Sequence, residues 1–309
     1  MEKTITLISP RGFCAGVTRA IDTVDQALLK YETPLYVHHE IVHNTYIVDN
    51  LKKKGVIFID NLDEMPDELP VILSAHGVHP DVRKKAANKN LHLIDATCPL
   101  VTKVHSEALR YARAGFNIVY IGHKKHVEAL GTAGEAPDKI VIVENEKDID
   151  NLPFSRESKI ACLTQTTLSI FETEHLVNYL KQKFSSVSTP SAGDICYATT
   201  NRQKAVAEIA GKVDLIFVIG SSNSSNSNRL KEVAIRQNPR SYLINCASEI
   251  QSSWLNDDIN SIGITAGASA PEILVTDVIN ILKTDYGFYK INMYNGGHED
   301  LHFSLPENI

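Results

Sequence analysis

The sequence predicts an α/β fold made of three similar units, each with its own parallel β-sheet. Two observations predict this class. Apolar runs of strand length alternate with helical patterns along the chain, and a cysteine followed by polar strand ends recurs three times. Strands that alternate with helices form parallel sheets, because each crossover helix returns the chain to the same edge of the sheet.

Composition indicates a folded protein that is not built to bind nucleic acid or a membrane. The 309 residues are 43% hydrophobic, which is ample for a packed core, and the formal net charge is −6. No apolar run approaches the roughly 20 residues that span a bilayer. The apolar stretch near the N-terminus is cut off by Pro10 and Arg11, so we predict no signal peptide. We therefore expect a cytoplasmic protein whose five cysteines are thiols or metal ligands rather than disulfides.

The first strand and the first helix are separated by a cysteine. The run TITLI (4–8) is β-branched and of strand length, and apolar residues recur at helical spacing from Ala15 to Leu28. Cys14 is therefore predicted at a helix N-terminus, where the helix dipole and the free N–H groups favour a thiolate. The alternative is a small buried residue that closes a tight turn.

Two further cysteines have the same context. Cys98, in DATCPLVTKVH, and Cys196, in DICYATTNRQ, each come directly before an amphipathic helical pattern. Cys162 and Cys246 instead lie in or beside short apolar runs, so we expect them to be structural.

Polar strand ends follow each of the three cysteines. The first lies 28 or 29 positions later, at His43, His126 and Ser224, and a second apolar strand then runs into His76, Thr166 and Ser269. The predicted units are residues 14–96, residues 97–193, and residues 1–13 together with 194–284, and residues 285–309 form a C-terminal tail.

The three cysteines are candidates for a metal cluster. The carboxyl ends of parallel strands form the ligand crevice of such sheets, so packing around a pseudo-threefold axis would bring Cys14, Cys98 and Cys196 together. A structural zinc ion prefers four protein ligands. Thiolates also suit iron–sulfur clusters, and a 4Fe–4S cube held by three cysteines leaves one iron open to a substrate.

Nine motifs together resemble the 4-hydroxy-3-methylbut-2-enyl diphosphate reductases, in order from about residue 5 to residue 280. They are PRGFCAGV, HHEIVHN, SAHGV, DATCPLVTKVH, IGHKKHVEALGT, TQTTLS, DICYATTNRQ, GSSNSSNSNRL and TAGASAP. The resemblance implies a trefoil of three α/β units around one 4Fe–4S cluster per chain. It also implies a small allylic diphosphate substrate and an external electron donor of the ferredoxin or flavodoxin type. The implied reaction reduces the substrate to isopentenyl and dimethylallyl diphosphate, the last step of the methylerythritol phosphate pathway.

The same resemblance implies roles for single residues. Cys14, Cys98 and Cys196 would be the cluster ligands, and Glu128 would be the proton donor, with Thr166 or its neighbour Thr167 relaying the proton to the substrate hydroxyl. The residues implied in substrate binding are His43, His76, His126, Thr166, Thr167, Ser224, Ser225, Asn226 and Ser269. One position departs from the family pattern, because Val127 replaces the usual proline in the sequence HVE.

Alternatives stay open for several of these features. The stretch SSNSSNSN (221–228) has the composition of a flexible linker, but it lies between a strand and a helix expected to begin near Arg229, where backbone N–H groups favour anions. Glu128 has a plainer interpretation as a solvated helix residue, and His105 is expected to be structural. For the whole protein, the alternatives are a three-cysteine hydro-lyase of the quinolinate-synthase type and a non-enzymatic iron–sulfur sensor.

Overall fold

A computed structural model describes residues 2–191 and 193–309. The strands in these residues are β1 (Thr4–Ser9), β2 (Leu35–His38), β3 (Val56–Ile59), β4 (Pro70–Leu73), β5 (His92–Asp95), β6 (Asn117–Ile121), β7 (Ile140–Val143), β8 (Lys159–Thr164), β9 (Ser186–Ser188), β10 (Leu215–Ile219), β11 (Ser241–Ile244), β12 (Ser261–Ala266) and β13 (Lys290–Asn295). The α-helices are α1 (Ala15–Lys30), α2 (Thr45–Lys53), α3 (Pro80–Asn88), α4 (Pro99–Arg113), α5 (Val127–Glu135), α6 (Glu146–Asp150), α7 (Ile170–Lys183), α8 (Tyr197–Ala210), α9 (Ser225–Ile235) and α10 (Glu272–Thr284).

The strands form three sheets, and the strand pairs found in the described residues are all parallel. The sheet orders are β3-β2-β4-β5, β7-β6-β8-β9 and β11-β10-β12-β1-β13. In each sheet the fourth strand is the one that ends shortly before a predicted cluster cysteine, namely β5, β9 or β1. After the helix that follows this cysteine, the chain forms the second strand of another sheet, namely β6, β10 or β2. The predicted α/β class with three parallel sheets is confirmed.

By its internal contacts the chain divides into two compact units. The first comprises Met1–Val17, His43–Asn50 and Tyr197–Leu301, and it holds the five-stranded sheet. The second comprises Thr18–Val42, Leu51–Cys196 and His302–Ile309, and it holds both four-stranded sheets.

The central strands are buried because their sequences are apolar on both faces, whereas β9 and β13 at the sheet edges are partly or mostly exposed. Every residue of β10 is buried, as expected of a parallel strand covered by helices on both sides. The helices are amphipathic instead. In α4 the buried residues Val101, Val104, Ala108 and Tyr111 recur every three or four positions, and Pro99 occupies the first helical position.

The predicted C-terminal tail contains a strand. Strand β13 lies beside β1 in the first unit, with Ile5 opposite Ile291. The last residues belong to the second unit, where the Asn308 side chain donates to the Leu93 carbonyl. In the described residues, no helix is both long and apolar enough to cross a membrane.

Candidate active site

The three cysteines singled out by the sequence occupy equivalent backbone positions. Each is half-buried and directly precedes the first residue of a helix, namely α1, α4 or α8. Each backbone N–H also donates to the carbonyl of the second residue after a strand. These bonds join Cys14 to Ala268 (3.2 Å), Cys98 to Ala75 (3.0 Å) and Cys196 to Thr166 (3.0 Å). The repeat found in the sequence is therefore also a repeat in hydrogen bonding.

The other two cysteines have different surroundings. Cys162 lies within β8 and is 1% exposed, and burial raises the pKa of its thiol to about 12. Its thiolate is therefore strongly disfavoured. Cys246 packs against the hydrophobic core of the first unit, with its sulfur 3.1 Å from Ser248 Oγ.

The donor chemistry of the three equivalent cysteines fits an iron–sulfur cluster. Thiolates at helix N-termini are stabilised by the helix dipole, and the three cysteines are half-buried rather than enclosed in the core. Among the described residues, no three His, Cys, Asp or Glu side chains stand together as ligands of one metal ion. A cluster differs from a single ion, because each cysteine binds a different iron and the thiolates lie further apart.

Glu128 is buried and held by Thr166. Its side chain lies in the first turn of α5 with 1% of its surface exposed, so it is not a solvated helix residue. The Thr166 backbone N–H donates to Glu128 Oε1 at 2.6 Å, and the Thr166 hydroxyl lies 2.9 Å from Glu128 Oε2. The pairing expected from the family resemblance is therefore present within the second unit.

Burial sets the protonation of this carboxyl group. Loss of hydration raises the pKa of Glu128 from 4.5 to about 7, against the opposing effect of the hydrogen bonds from Thr166 and Tyr120. Tyr120 is fully buried beneath it, with its hydroxyl 3.5 Å from Oε1, and burial keeps the phenol protonated by raising its pKa. Glu128 can therefore carry a proton near neutral pH.

Thr166 also connects the predicted acid to a predicted cluster ligand. Its N–H binds Glu128, and its carbonyl accepts the N–H of Cys196. The Thr167 hydroxyl instead accepts from the Gln165 side-chain amide at 3.0 Å. Of the two threonines considered for the relay, the structure pairs Thr166 with Glu128.

Two predicted substrate-binding histidines lie together in the second unit. The rings of His76 and His126 meet edge to face, with 5.9 Å between centroids. His126 is the N-cap of α5, and its Nδ1 accepts from the Glu128 N–H at 3.2 Å. In the neutral ring the hydrogen is consequently on Nε2, which makes that atom a donor.

The first unit gathers hydroxyl and amide groups at the start of α9. Ser224 and Asn226 are buried there, and Ser225 is the first helical residue. The Ser269 hydroxyl donates to the His43 carbonyl at 3.0 Å, which joins two more of the predicted residues. The amide nitrogen of Asn226 is buried without a hydrogen-bond partner in the described part of the chain. An unsatisfied buried donor is costly and indicates a site for an acceptor.

The helix in the Ser-rich stretch begins earlier than the sequence predicted. It starts at Ser225 rather than near Arg229, because the Ser224 side chain accepts from the Ser227 N–H and caps it. A methyl group at Gly220 or Gly267 would come within 2.2 or 2.1 Å of Ser227 Oγ. These two glycines let the helix start close to the ends of β10 and β12.

Some supporting residues had no signal of their own in the sequence. Lys103 donates to the Gly193 carbonyl at 2.6 Å and lies 3.6 Å from buried Asp194, which in turn accepts from the Thr164 N–H. Together they fix the segment that leads to Cys196. Tyr120 lies within an apolar strand, where a tyrosine is usually a core residue, so its contact with Glu128 became visible only in the structure.

The chain is similar over its whole length to proteins of one family. Residues 5–283 match the family model described as LytB protein. A 4-hydroxy-3-methylbut-2-enyl diphosphate reductase of Rhodococcus jostii (strain RHA1) is 49% identical over 309 residues, covering 100% of this chain and 91% of that protein. That of Ruthia magnifica is 48% identical over 305 residues and covers 99% of both. The solved E-1-hydroxy-2-methyl-but-2-enyl-4-diphosphate reductase from Plasmodium falciparum has a TM-score of 0.97 at 42% identity, covering 100% of this chain and 97% of that one.

Proposed function

The chain belongs to the LytB protein family of 4-hydroxy-3-methylbut-2-enyl diphosphate reductases, and we propose that Glu128 and Thr166 supply the proton for its reaction. The enzyme removes the allylic hydroxyl of its substrate as water, consuming two electrons and two protons. The products are isopentenyl and dimethylallyl diphosphate. The buried contact between Glu128 and Thr166 is the observation that carries the residue-level proposal.

Expulsion of the hydroxyl group requires an acid. Glu128 Oε1 is committed to the Thr166 N–H, so the acid proton belongs on Oε2, facing the Thr166 hydroxyl. When Glu128 is protonated, this hydroxyl accepts from it and donates its own hydrogen onward to the leaving oxygen. A positioned general acid of this kind contributes about 10²–10⁴-fold to the rate.

We assign one 4Fe–4S cluster per chain to Cys14, Cys98 and Cys196. When bound, the cluster supplies the electrons and an iron with an open coordination position. The support from this chain is the shared position of the three half-buried thiols before helices, with the same backbone hydrogen bond at each. Electrons would come from an external donor of the ferredoxin or flavodoxin type.

The diphosphate would be bound by neutral donors. In the first unit, Ser224, Ser225 and Asn226 lie at the start of α9, where helix N–H groups favour anions. Ser269, which donates to the His43 carbonyl, and His43 would complete this part of the site. In the second unit, His76 and His126 would donate from their rings, and Thr167 completes the predicted set. The unsatisfied amide of Asn226 is the most direct sign of a missing acceptor.

Anaerobic turnover of the hydroxylated C5 diphosphate with a chemical reductant tests the function. We expect products to form with two electrons consumed for each substrate molecule. Conversion without net reduction would favour the hydro-lyase alternative instead. Failure to bind small diphosphates at all would favour an iron–sulfur sensor.

A further inference from the structure

His105 is half-buried and packs against two segments of the second unit, although the family resemblance gives it no role. It lies on α4, the helix that follows Cys98, and its side chain is 12% exposed. Its Nδ1 is 2.8 Å from Oε1 of Glu135, the last residue of α5, whose side chain is 19% exposed. The contact therefore joins α4 to the helix that carries Glu128.

The His105 ring packs directly on two backbones. Gly77 follows His76 and has a φ of +75°, and a methyl group there would lie 3.1 Å from His105 Nε2. Gly131 lies one turn after Glu128 on α5, and a methyl group there would lie 3.2 Å from His105 Cε1. Both distances are shorter than ordinary carbon contacts. A side chain at either position would require its neighbours to shift by a few tenths of an ångström, and the positive φ of Gly77 also favours glycine there.

The orientation of the ring is determined by one hydrogen bond. In the neutral ring, the hydrogen on Nδ1 is donated to Glu135. Nε2 is buried and has no hydrogen-bond partner in the part of the chain that the structure describes. The Nε2 side of the ring therefore makes only packing contacts, and it separates the backbone at Gly77 from the backbone at Gly131.

We propose that His105 is a positioning residue that sets the distance between the loop of His76 and helix α5. The edge-to-face contact of His76 with His126, at 5.9 Å between ring centroids, depends on that distance. Glu128 is held independently by Thr166. Loss of the His105 ring should therefore disturb diphosphate binding more than proton transfer. This inference rests on the proposed function.

The test is His105→Ala in the anaerobically purified holoenzyme. We expect KM for the diphosphate substrate to rise about tenfold, while kcat falls by less than about threefold. The reason is that loss of the ring would displace His76 and His126, which are proposed to bind the diphosphate. The matched control is His175→Ala. His175 also has a nitrogen 2.8 Å from a glutamate, Glu146, but its side chain is 66% exposed, so KM should not change.

A second variant changes Gly131, the residue of α5 that packs against the ring. Gly131→Ala places a methyl group 3.2 Å from both His105 Cε1 and the Val78 carbonyl carbon, and should raise KM in the same way. In the double variant His105→Ala/Gly131→Ala, the contact of the methyl group with the ring is relieved, while its contact with the Val78 backbone remains. The combined effect on KM should then be smaller than the product of the single effects. Multiplicative effects would overturn the proposal, and so would an unchanged KM in Gly131→Ala, which can be measured even if His105→Ala alone does not fold.

A structural readout separates this inference from the proposed function. The ring-proton NMR signals of His76 and His126, recorded without substrate, should shift in His105→Ala and stay in place in His175→Ala. Unchanged signals would overturn the positioning role whatever the activity. Failure of the wild-type holoenzyme to turn over the substrate would reject the function, while the histidine signals would still test the packing.

Discussion

Glu128 combines burial, with 1% of its surface exposed, and a pKa raised to about 7. Loss of hydration favours the neutral acid, and the hydrogen bonds from Thr166 partly restore the charged form. The balance places the pKa close to neutral pH, where a general acid is most effective. The sequence indicated this residue only by resemblance, because burial is not visible in a helix sequence.

Replacing Glu128 by glutamine should separate binding from proton transfer. Glutamine keeps the size of the side chain but cannot deliver a proton, so we expect kcat to fall by about 10²-fold or more while substrate affinity is kept. Steady-state kinetics and iron content of the anaerobic protein are the measurements. Glu146→Gln, on the exposed surface, is the control and should behave like the wild type. Near wild-type turnover in Glu128→Gln would place proton delivery elsewhere.

The pH dependence has a definite sign. Glu128 acts in its protonated form, so kcat should fall as the pH rises through about 7. The free energy of unfolding should also fall as the pH rises, because the raised pKa of Glu128 in the folded state favours the native state at low pH. This contribution is complete below about 4.5 and is lost as the pH rises through about 7. Glu128→Gln should remove the contribution of Glu128 to both trends, as measured by kinetics and by denaturant unfolding across this range in the variant and the wild type.

The cysteines can be tested one residue at a time. Cys14→Ser, Cys98→Ser and Cys196→Ser should each reduce the bound iron and sulfide and the visible absorbance of anaerobic protein. Cys162→Ser and Cys246→Ser are the controls and should retain the cluster, because these two thiols pack in or against the core. The ligand assignment is wrong if a control variant loses the cluster while one of the first three keeps it.

At the scale of elements, the start of α9 shows where sequence patterns fail. The helix was expected to begin near Arg229, after the Ser-rich stretch 221–228, yet Asn226 and Ser227 are helical and buried. Serine and asparagine are poor helix formers in general but favourable at an N-terminus, where they bond to free N–H groups. The cap and the two neighbouring glycines decide the boundary, and composition alone does not.

This helix start should contribute binding energy for the diphosphate. Ser224→Ala and Asn226→Ala should each weaken product inhibition by isopentenyl diphosphate by about 1–3 kcal/mol, the value of a hydrogen bond to a charged group. Ser222→Ala is the control, since this serine is exposed just before the cap. Unchanged inhibition in both buried variants would remove the start of α9 from the binding site.

Val127, at the start of α5, stands where the family usually has proline, and the effect of this difference can be tested. Val127 is the first helical residue, and its predecessor His126 has an extended backbone with φ −76° and ψ 136°. A residue before proline adopts this conformation, and proline is favourable at the first helical position. We expect Val127→Pro to fold and to gain about 0.4–1 kcal/mol in unfolding free energy. A loss of stability would mean that the loop of this chain is adapted to valine.

At the scale of the whole chain, the threefold repeat was the part most accessible from sequence. Cysteines and polar residues recur in the sequence because they lie at equivalent ends of strands and helices in the three units. The three sheets share the order of their first four strands, and one sheet has β13 as a fifth strand. Strand β13 was missed, because its alternation of polar and apolar residues is short and its residues are mostly exposed. The contacts of Glu128, His105 and Asn226 were also out of reach, since they join residues far apart in sequence.

The C-terminal segment after β13 should stabilise the first unit through one buried ion pair. Arg202, on α8, is 1% exposed; it donates to both carboxylate oxygens of Glu299 at 2.9 and 3.1 Å and to the Gly12 carbonyl at 2.8 Å. Glu299→Ala would leave this guanidinium buried without its counter-ion, so we expect the free energy of unfolding, measured with denaturant, to fall by about 3–5 kcal/mol.

The matched control is Glu2→Ala, which removes an exposed pair with Lys290 and should lower the free energy of unfolding by about 0–1 kcal/mol. Hydrogen exchange at Gly296, whose N–H donates to the Ser9 carbonyl, should accelerate only in Glu299→Ala. Equal stability of the two variants would show that the segment is held by the β1–β13 pairing and not by the ion pair.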